Sequence, residues 1–187
     1  MKKIFFYASV VLIAASCNNQ KKEGEVTYTD STVKAINEPA KPAPEYVYTL
    51  DHPYGDWQPG DANNTAIALN ALKGFATNNI AASLTNFGDS VHIRMDNFDE
   101  KVSHDSLSTL LTTWRNNYST IDIHMEDYLS VISKDKKDEW VTMWYKQINT
   151  DKKGKVDSVY CVDDIKLMNG KIIGLEEAVR KYAVKKM

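Results

Sequence analysis

All five prolines of the chain, Pro39, Pro42, Pro44, Pro53 and Pro59, lie before residue 60, and the run from there to Met187 has none. Proline removes a backbone donor and fixes φ, so it is the strongest breaker of helices and central strands. Its distribution divides the chain into a front part poorly suited to regular structure and a remainder in which long elements can form. The folded domain is therefore expected over residues 50–187. A chain of 187 residues with 43% hydrophobic and 26% charged side chains has the composition of one globular domain.

The front part carries its own signals. Residues 1–16 begin with Lys2 and Lys3, run uncharged from Ile4 to Ala15 and end in small residues before Cys17. That order is the grammar of an export signal. The apolar run is about a dozen residues where a spanning helix needs about 20, so a transmembrane anchor is the poorer reading. Ile13-Ala14-Ala15-Ser16-Cys17 resembles a bacterial lipobox. The resemblance implies lipidation of the Cys17 thiol, removal of the preceding peptide and a protein held to a membrane of the bacterial cell envelope. Residues 17–49 are polar and Pro-containing, with too few apolar side chains to offset the entropy of ordering, and are expected to act as a disordered tether.

Charge and cysteine content exclude several classes. With 23 basic against 25 acidic residues the net charge is −2, and losing Lys2 and Lys3 takes it to −4, so no nucleic-acid partner is expected. After processing, Cys161 is the one remaining thiol and has no partner for an internal disulfide. It reads as a small buried hydrophobe on a strand. His52, His92, His104 and His124 lack the close spacing of a metal site. No Gly-rich phosphate loop, Gly-x-Ser-x-Gly elbow or Cys-x-x-Cys pair is present, and no cofactor or metal is expected.

In the domain, Ile67, Ala68, Ala71, Leu72, Phe75 and Ala76 keep helical spacing behind the capping candidates Asp61, Asn63 and Asn64. Asn78-Asn79 interrupts this stripe, and Ile80, Ala81, Leu84 and Phe87 resume it as a short helix that should end at Gly88. Asp89 to Met95 alternates as a strand. Ser103 or Asp105 caps a third helix bearing Leu107, Leu110, Leu111, Trp114 and Tyr118. Strands then follow over 121–133, 140–149 and 158–168, with a turn at Asp151–Gly154. Asn169-Gly170 is a two-residue hairpin signal leading into a strand over 171–175. This order is α+β. Trp140, Thr142 and Trp144 point one way while Val141, Met143 and Tyr145 point the other, so the sheet wants cover on both faces. Helices supply one cover, and a second copy meeting the outer face supplies the other, giving a homodimer; partial exposure of Tyr and Met is the alternative.

The element order, the run Phe87-Gly88-Asp89-Ser90-Val91 and above all Asp163-Asp164-Ile165-Lys166-Leu167-Met168-Asn169-Gly170-Lys171-Ile172 resemble the SnoaL-like, nuclear-transport-factor-2-like fold over residues 60–182. The resemblance implies a cone-shaped α+β roll, a curved antiparallel sheet wrapped around about three helices with a mostly apolar cavity. It implies no particular activity, because that fold hosts isomerases, cyclases, dehydratases and binding domains. By the pattern of its steroid isomerases, Ala71 stands where a tyrosine acts and Met95 where a carboxylate base acts, so both roles are vacant. Asp163 falls at a pocket carboxyl of those enzymes. Strand alternation puts it beside Cys161, Ile165 and Leu167, where burial raises its pKa.

The catalytic candidates are therefore Asp163 with His92 or His124, set against a structural ion pair for Asp163 and a solvent face for His92 and Arg94. Trp114, Tyr118, Tyr128, Trp140 and Trp144 are candidates to line a site for a small apolar molecule, or are plain core. Trp57, in the irregular run Asp51–Trp57, either plugs the cavity or staples the core. The reading favoured is an envelope-anchored binding module for a small apolar molecule or peptide. A cyclase-, isomerase- or hydratase-type enzyme and a pure interaction domain are the alternatives.

Overall fold

The computed structural model describes residues 45–50 and 56–182. The leader, Cys17 and most of the tether lie outside the described residues, as do Asp51–Gly55. All regular elements among the described residues belong to the compact unit that starts at Tyr48.

The fold is α+β, with a curved, unclosed seven-stranded sheet and three helices among the described residues. Strand β1 (Gln58–Pro59) leads into α1 (Ala62–Ala76) and α2 (Ile80–Leu84). A hairpin of β2 (Phe87–Met95) and β3 (Phe98–Ser103) precedes α3 (His104–Arg115). The long strands β4 (Tyr118–Ile132), β5 (Glu139–Asp151), β6 (Val156–Met168) and β7 (Lys171–Lys181) complete the sheet. Its order is β1-β4-β5-β6-β7-β2-β3.

Local chemistry sets the ends. The side chain of Asp61 accepts from the backbone N–H of Asn63 to cap α1, Asn79 caps α2 and Ser103 caps α3, each satisfying a free helix donor. Asn169 (φ 52°) and Gly170 (φ 70°) both take the left-handed conformation that a tight β6–β7 hairpin needs. Within α1, a Cβ on Gly74 would sit 2.5 Å from the backbone nitrogen of Ser83, so the missing side chain lets α2 fold back against α1.

Four details differ from the sequence reading. Helix α2 stops at Leu84 with Thr85 as its cap, Gly88 lies inside β2, and the left-handed residue is Asn78 (φ 60°) between the helices. The stripe misled because Phe87, buried on β2, falls at a helical spacing from Leu84. Strand β3 was not anticipated, since Phe98–Ser103 is half charged and mostly exposed at the sheet edge. Strand β7 runs six residues past Leu175. Finally, β2 pairs with β7 in parallel, so the sheet is not wholly antiparallel; 75 residues separate the two strands, and no hairpin dictates their direction.

The core is the inner face of the sheet closed by the helices: Val141, Met143, Tyr145, Cys161, Ile165 and Leu167 pack with Ala68, Leu84, Val91, Ile93, Leu107 and Ile172. Trp140, Thr142 and Trp144 face the other way and are half-buried. That outer face covers some of its own aromatic surface, with Lys166 Nζ 5.3 Å from the Trp140 ring and the Arg180 guanidinium 5.1 Å from Tyr160.

Candidate functional site

The inner face carries a cluster of acids, Asp163 buried and Glu177 half-buried. Register aligns Met143, Asp163 and Glu177 on β5, β6 and β7, and places Tyr145, Cys161 and Val179 in the neighbouring row. Asp163 is only 5% exposed. The Tyr145 hydroxyl donates to its Oδ2 at 2.9 Å, while Oδ1 is buried without a hydrogen-bond partner.

Electrostatics follows from that placement. Burial pushes the Asp163 carboxyl well above the usual carboxylate range, and the adjacent Glu177 charge pushes it further. Burial also raises Glu177, although the Cys161 thiol donates to it and favours its ionised form. Burial lifts the Tyr145 phenol well above 10, with Asp163 adding to the effect, and burial lifts the Cys161 thiol in the same way. On balance the surroundings of Asp163 and Glu177 favour their protonated forms. A neutral acid in apolar surroundings is a hydrogen-bond donor rather than a base.

His92 and His124 are elsewhere. His92 and Arg94 pair in register with Gly174 and Glu176 on the outer face, because Val91 and Ile93 take the inner positions of β2. His92 Nε2 lies 2.6 Å from Asp99 Oδ1, and Arg94 Nη1 donates to Glu176 Oε1 at 2.6 Å. His124 pairs with Lys146 on the outer face of β4. Asp163 is thus brought together with Tyr145, Cys161 and Glu177, and with neither His92 nor His124.

The aromatic candidates do not share one lining. Trp114 packs on the core edge-on to Phe98, with ring centroids 5.9 Å apart. Tyr118 is half-buried where β4 begins, Tyr128 is exposed, and Trp140 and Trp144 look outward. Trp57 precedes β1 at the far end of β4 and is 43% exposed.

Two hollows border the sheet. A groove of about 550 Å³ runs between α1 and β4, walled by Leu69, Leu72 and Ala76 on the helix and by Ile121, Ile123 and Met125 on the strand, with Lys73, Asp122 and His124 among its polar lining. A notch of about 270 Å³ lies where β2 ends, bounded by Met95, Asp96, Asp164, Glu176 and Glu177 with Arg94. Glu177 joins that notch to the buried acids. Met95 therefore lies at a hollow, whereas Ala71 sits in the core with its carbonyl accepting from Ser83 Oγ at 2.8 Å. Among the described residues no group of three or more His, Cys, Asp or Glu is arranged to hold a metal ion.

Two residues escaped the sequence reading. Glu177 was outside the expected strand. Arg115, 5% exposed, donates to the carbonyls of Phe75 (3.1 Å), Ala76 (3.3 Å) and Tyr118 (2.8 Å), clamping the end of α1 and the start of β4 beside the groove. Its position four residues after Leu111 and eight after Leu107, on the apolar stripe, was the available signal.

No family model and no curated protein matches the chain. Solved structures do. An NTF2-like protein from Anabaena variabilis shares 15% identity, with 64% of this chain and 91% of that one covered at a TM-score of 0.53. A protein described as a SnoaL-like polyketide cyclase from Jannaschia shares 10% identity over 65% of this chain and 88% of that one, TM-score 0.53. A cystatin-fold protein from Novosphingobium aromaticivorans shares 13% over 64% and 99%, TM-score 0.51. The fold is therefore NTF2-like, and at such identities the likeness speaks for the fold alone.

Proposed function

We propose that the protein is an envelope lipoprotein, tethered by a lipid on Cys17, whose domain binds a small apolar molecule or peptide without catalysis. The observation that carries this reading is the groove between α1 and β4: about 550 Å³, mostly apolar walls and a few polar groups, within the size range of ligand sites. Fold-level kinship with cyclase-type and ligand-binding domains is compatible with it. The absence of turnover is supported by separation. The groove is lined by none of Tyr145, Asp163 and Glu177, so the acid cluster stands apart from it.

An enzyme of the cyclase, isomerase or hydratase kind is the second reading. One observation favours it, the contact of Glu177 with both the notch and Asp163, and it no longer involves a histidine.

The test uses the chain from residue 18 on, which holds every described residue, and the neutral fluorophore N-phenyl-1-naphthylamine. Saturable binding is expected with Kd of about 1–50 μM. Ala76→Trp, which fills the groove, should weaken it at least about tenfold. Unsaturable binding, or an unchanged Kd in Ala76→Trp, overturns the groove as the site.

A further inference from the structure

We propose that the molecule seated in the groove between α1 and β4 carries one anionic group, a carboxylate or sulfonate, on an otherwise apolar frame, and that the Lys73 ammonium receives it. This rests on the groove being the binding site and names the class of molecule it takes.

Lys73 is the charged side chain that the walls direct at the groove. On α1, Leu69, Leu72, Lys73 and Ala76 follow at helical spacings of three and four residues, which puts all four on the face turned to β4. On β4, Ile121, Ile123 and Met125 stand level with Asn149, Gln147 and Tyr145 on the inner face. Strand alternation sends the side chains of Asp122 and His124, both exposed, to the outer face. These two border the groove with their strand rather than with their charges.

The ammonium has no task at the helix end. A lysine in a last turn ordinarily serves the carbonyls left unpaired there, but in α1 the last four are already served. Thr77 donates its N–H at 3.0 Å and its hydroxyl at 2.8 Å to the Lys73 carbonyl, Asn79 N–H donates to that of Gly74 at 2.8 Å, and Asn78 N–H to that of Phe75 at 3.1 Å. Arg115 supplies Nε to the Phe75 carbonyl and Nη2 to that of Ala76. Among the described residues the Lys73 ammonium has no ion-pair or hydrogen-bond partner.

Arg115 strengthens the field at this end. Its buried guanidinium is bonded to three carbonyls, and among the described residues it is ion-paired with no carboxylate, so a full positive charge stands behind Ala76. The same bonds cover the negative end of the α1 dipole, which would otherwise repel an anion. The groove thus offers apolar walls and two positive charges toward the C-terminal end of α1. An apolar frame fills the space against Leu72, Ile121 and Ile123, and a carboxylate or sulfonate accepts from the lysine N–H groups. A cationic head would meet like charge there, and a neutral one would leave the ammonium unused.

Two dyes that differ by one sulfonate test this: N-phenyl-1-naphthylamine and 8-anilinonaphthalene-1-sulfonate, each titrated into the chain from residue 18 on at about 20 mM salt. The neutral dye reports the apolar walls, and the ratio of the two Kd values within one protein isolates the charge. The sulfonate is expected to bind at least about fivefold tighter, with the advantage shrinking at about 500 mM salt. Lys73→Gln should abolish that advantage and Lys73→Glu should reverse it. Lys101→Gln, on β3 at the opposite edge of the sheet, should keep it. A sulfonate that binds no better than the neutral dye, or an advantage that survives Lys73→Gln, overturns the proposal, and saturable binding of the neutral dye then leaves the groove standing as a site. Unsaturable binding of the neutral dye sinks the groove and the proposal together.

Discussion

The acid cluster should make the domain less stable as pH rises, the reverse of the behaviour of ion-paired carboxylates. Burial holds the Asp163 and Glu177 carboxyls above their ordinary values, so the folded chain keeps protons that the unfolded chain releases from about pH 4 upward. Their stabilising effect is complete below the unfolded pKa and is lost as pH climbs toward the folded one. Each retained proton contributes a slope of about 1 kcal/mol per pH unit for as long as the folded chain keeps it. Against a total of roughly 5–15 kcal/mol that loss is easily seen. Asp163→Asn keeps an acceptor for the Tyr145 hydroxyl at the same place and removes the titration. Urea unfolding at half-unit steps from pH 5 to pH 7.5 should give a falling wild-type ΔG, a slope in Asp163→Asn shallower by about 1 kcal/mol per unit, and a more stable variant at pH 7. Other titrating groups are common to both proteins and drop out of the difference. A wild-type stability that is flat or rising over this range, or identical slopes in the two proteins, would refute the assignment of neutral buried acids.

Two further expectations concern the frame and the anchor. Arg115→Met should cost about 3 kcal/mol and lower Tm by roughly 10 °C with little salt dependence, because three charge-assisted bonds to carbonyls are lost, partly offset by no longer burying a charge; a loss under about 1 kcal/mol in thermal unfolding would mean the clamp is ornamental. In a bacterial host, labelled palmitate should enter the full chain and vanish in Cys17→Ser, and label persisting in that variant would remove the lipid from the cysteine.

Period-two alternation decides a strand's faces only where one half of the pattern is polar. On β2, Val91 and Ile93 alternate with His92 and Arg94, and the outward place of both charged residues was legible from the sequence. On β5 both halves are apolar, so Val141, Met143 and Tyr145 could not be told from Trp140 and Trp144 until register against β6 settled the matter. Bulges hide more. The irregularity near Ile172–Gly174 shifts the alternation of β7, and only after it does Glu177 come level with Asp163 on the inner face. The bulge at Glu126 does the same for β4, so that Met125 stands level with Tyr145 and Tyr128 with Met143. Asp163 was legible because Cys161, Ile165 and Leu167 flank it on an unbroken strand, whereas its partner acid and the β4 row after the bulge each depend on a one-residue insertion that side-chain patterning cannot register. Deleting Glu126 should therefore remove the bulge and leave Met125 opposite Tyr145, with Ile121, Ile123 and Met125 still on the inner face, so saturable naphthylamine binding should survive the deletion and its loss would refute this register.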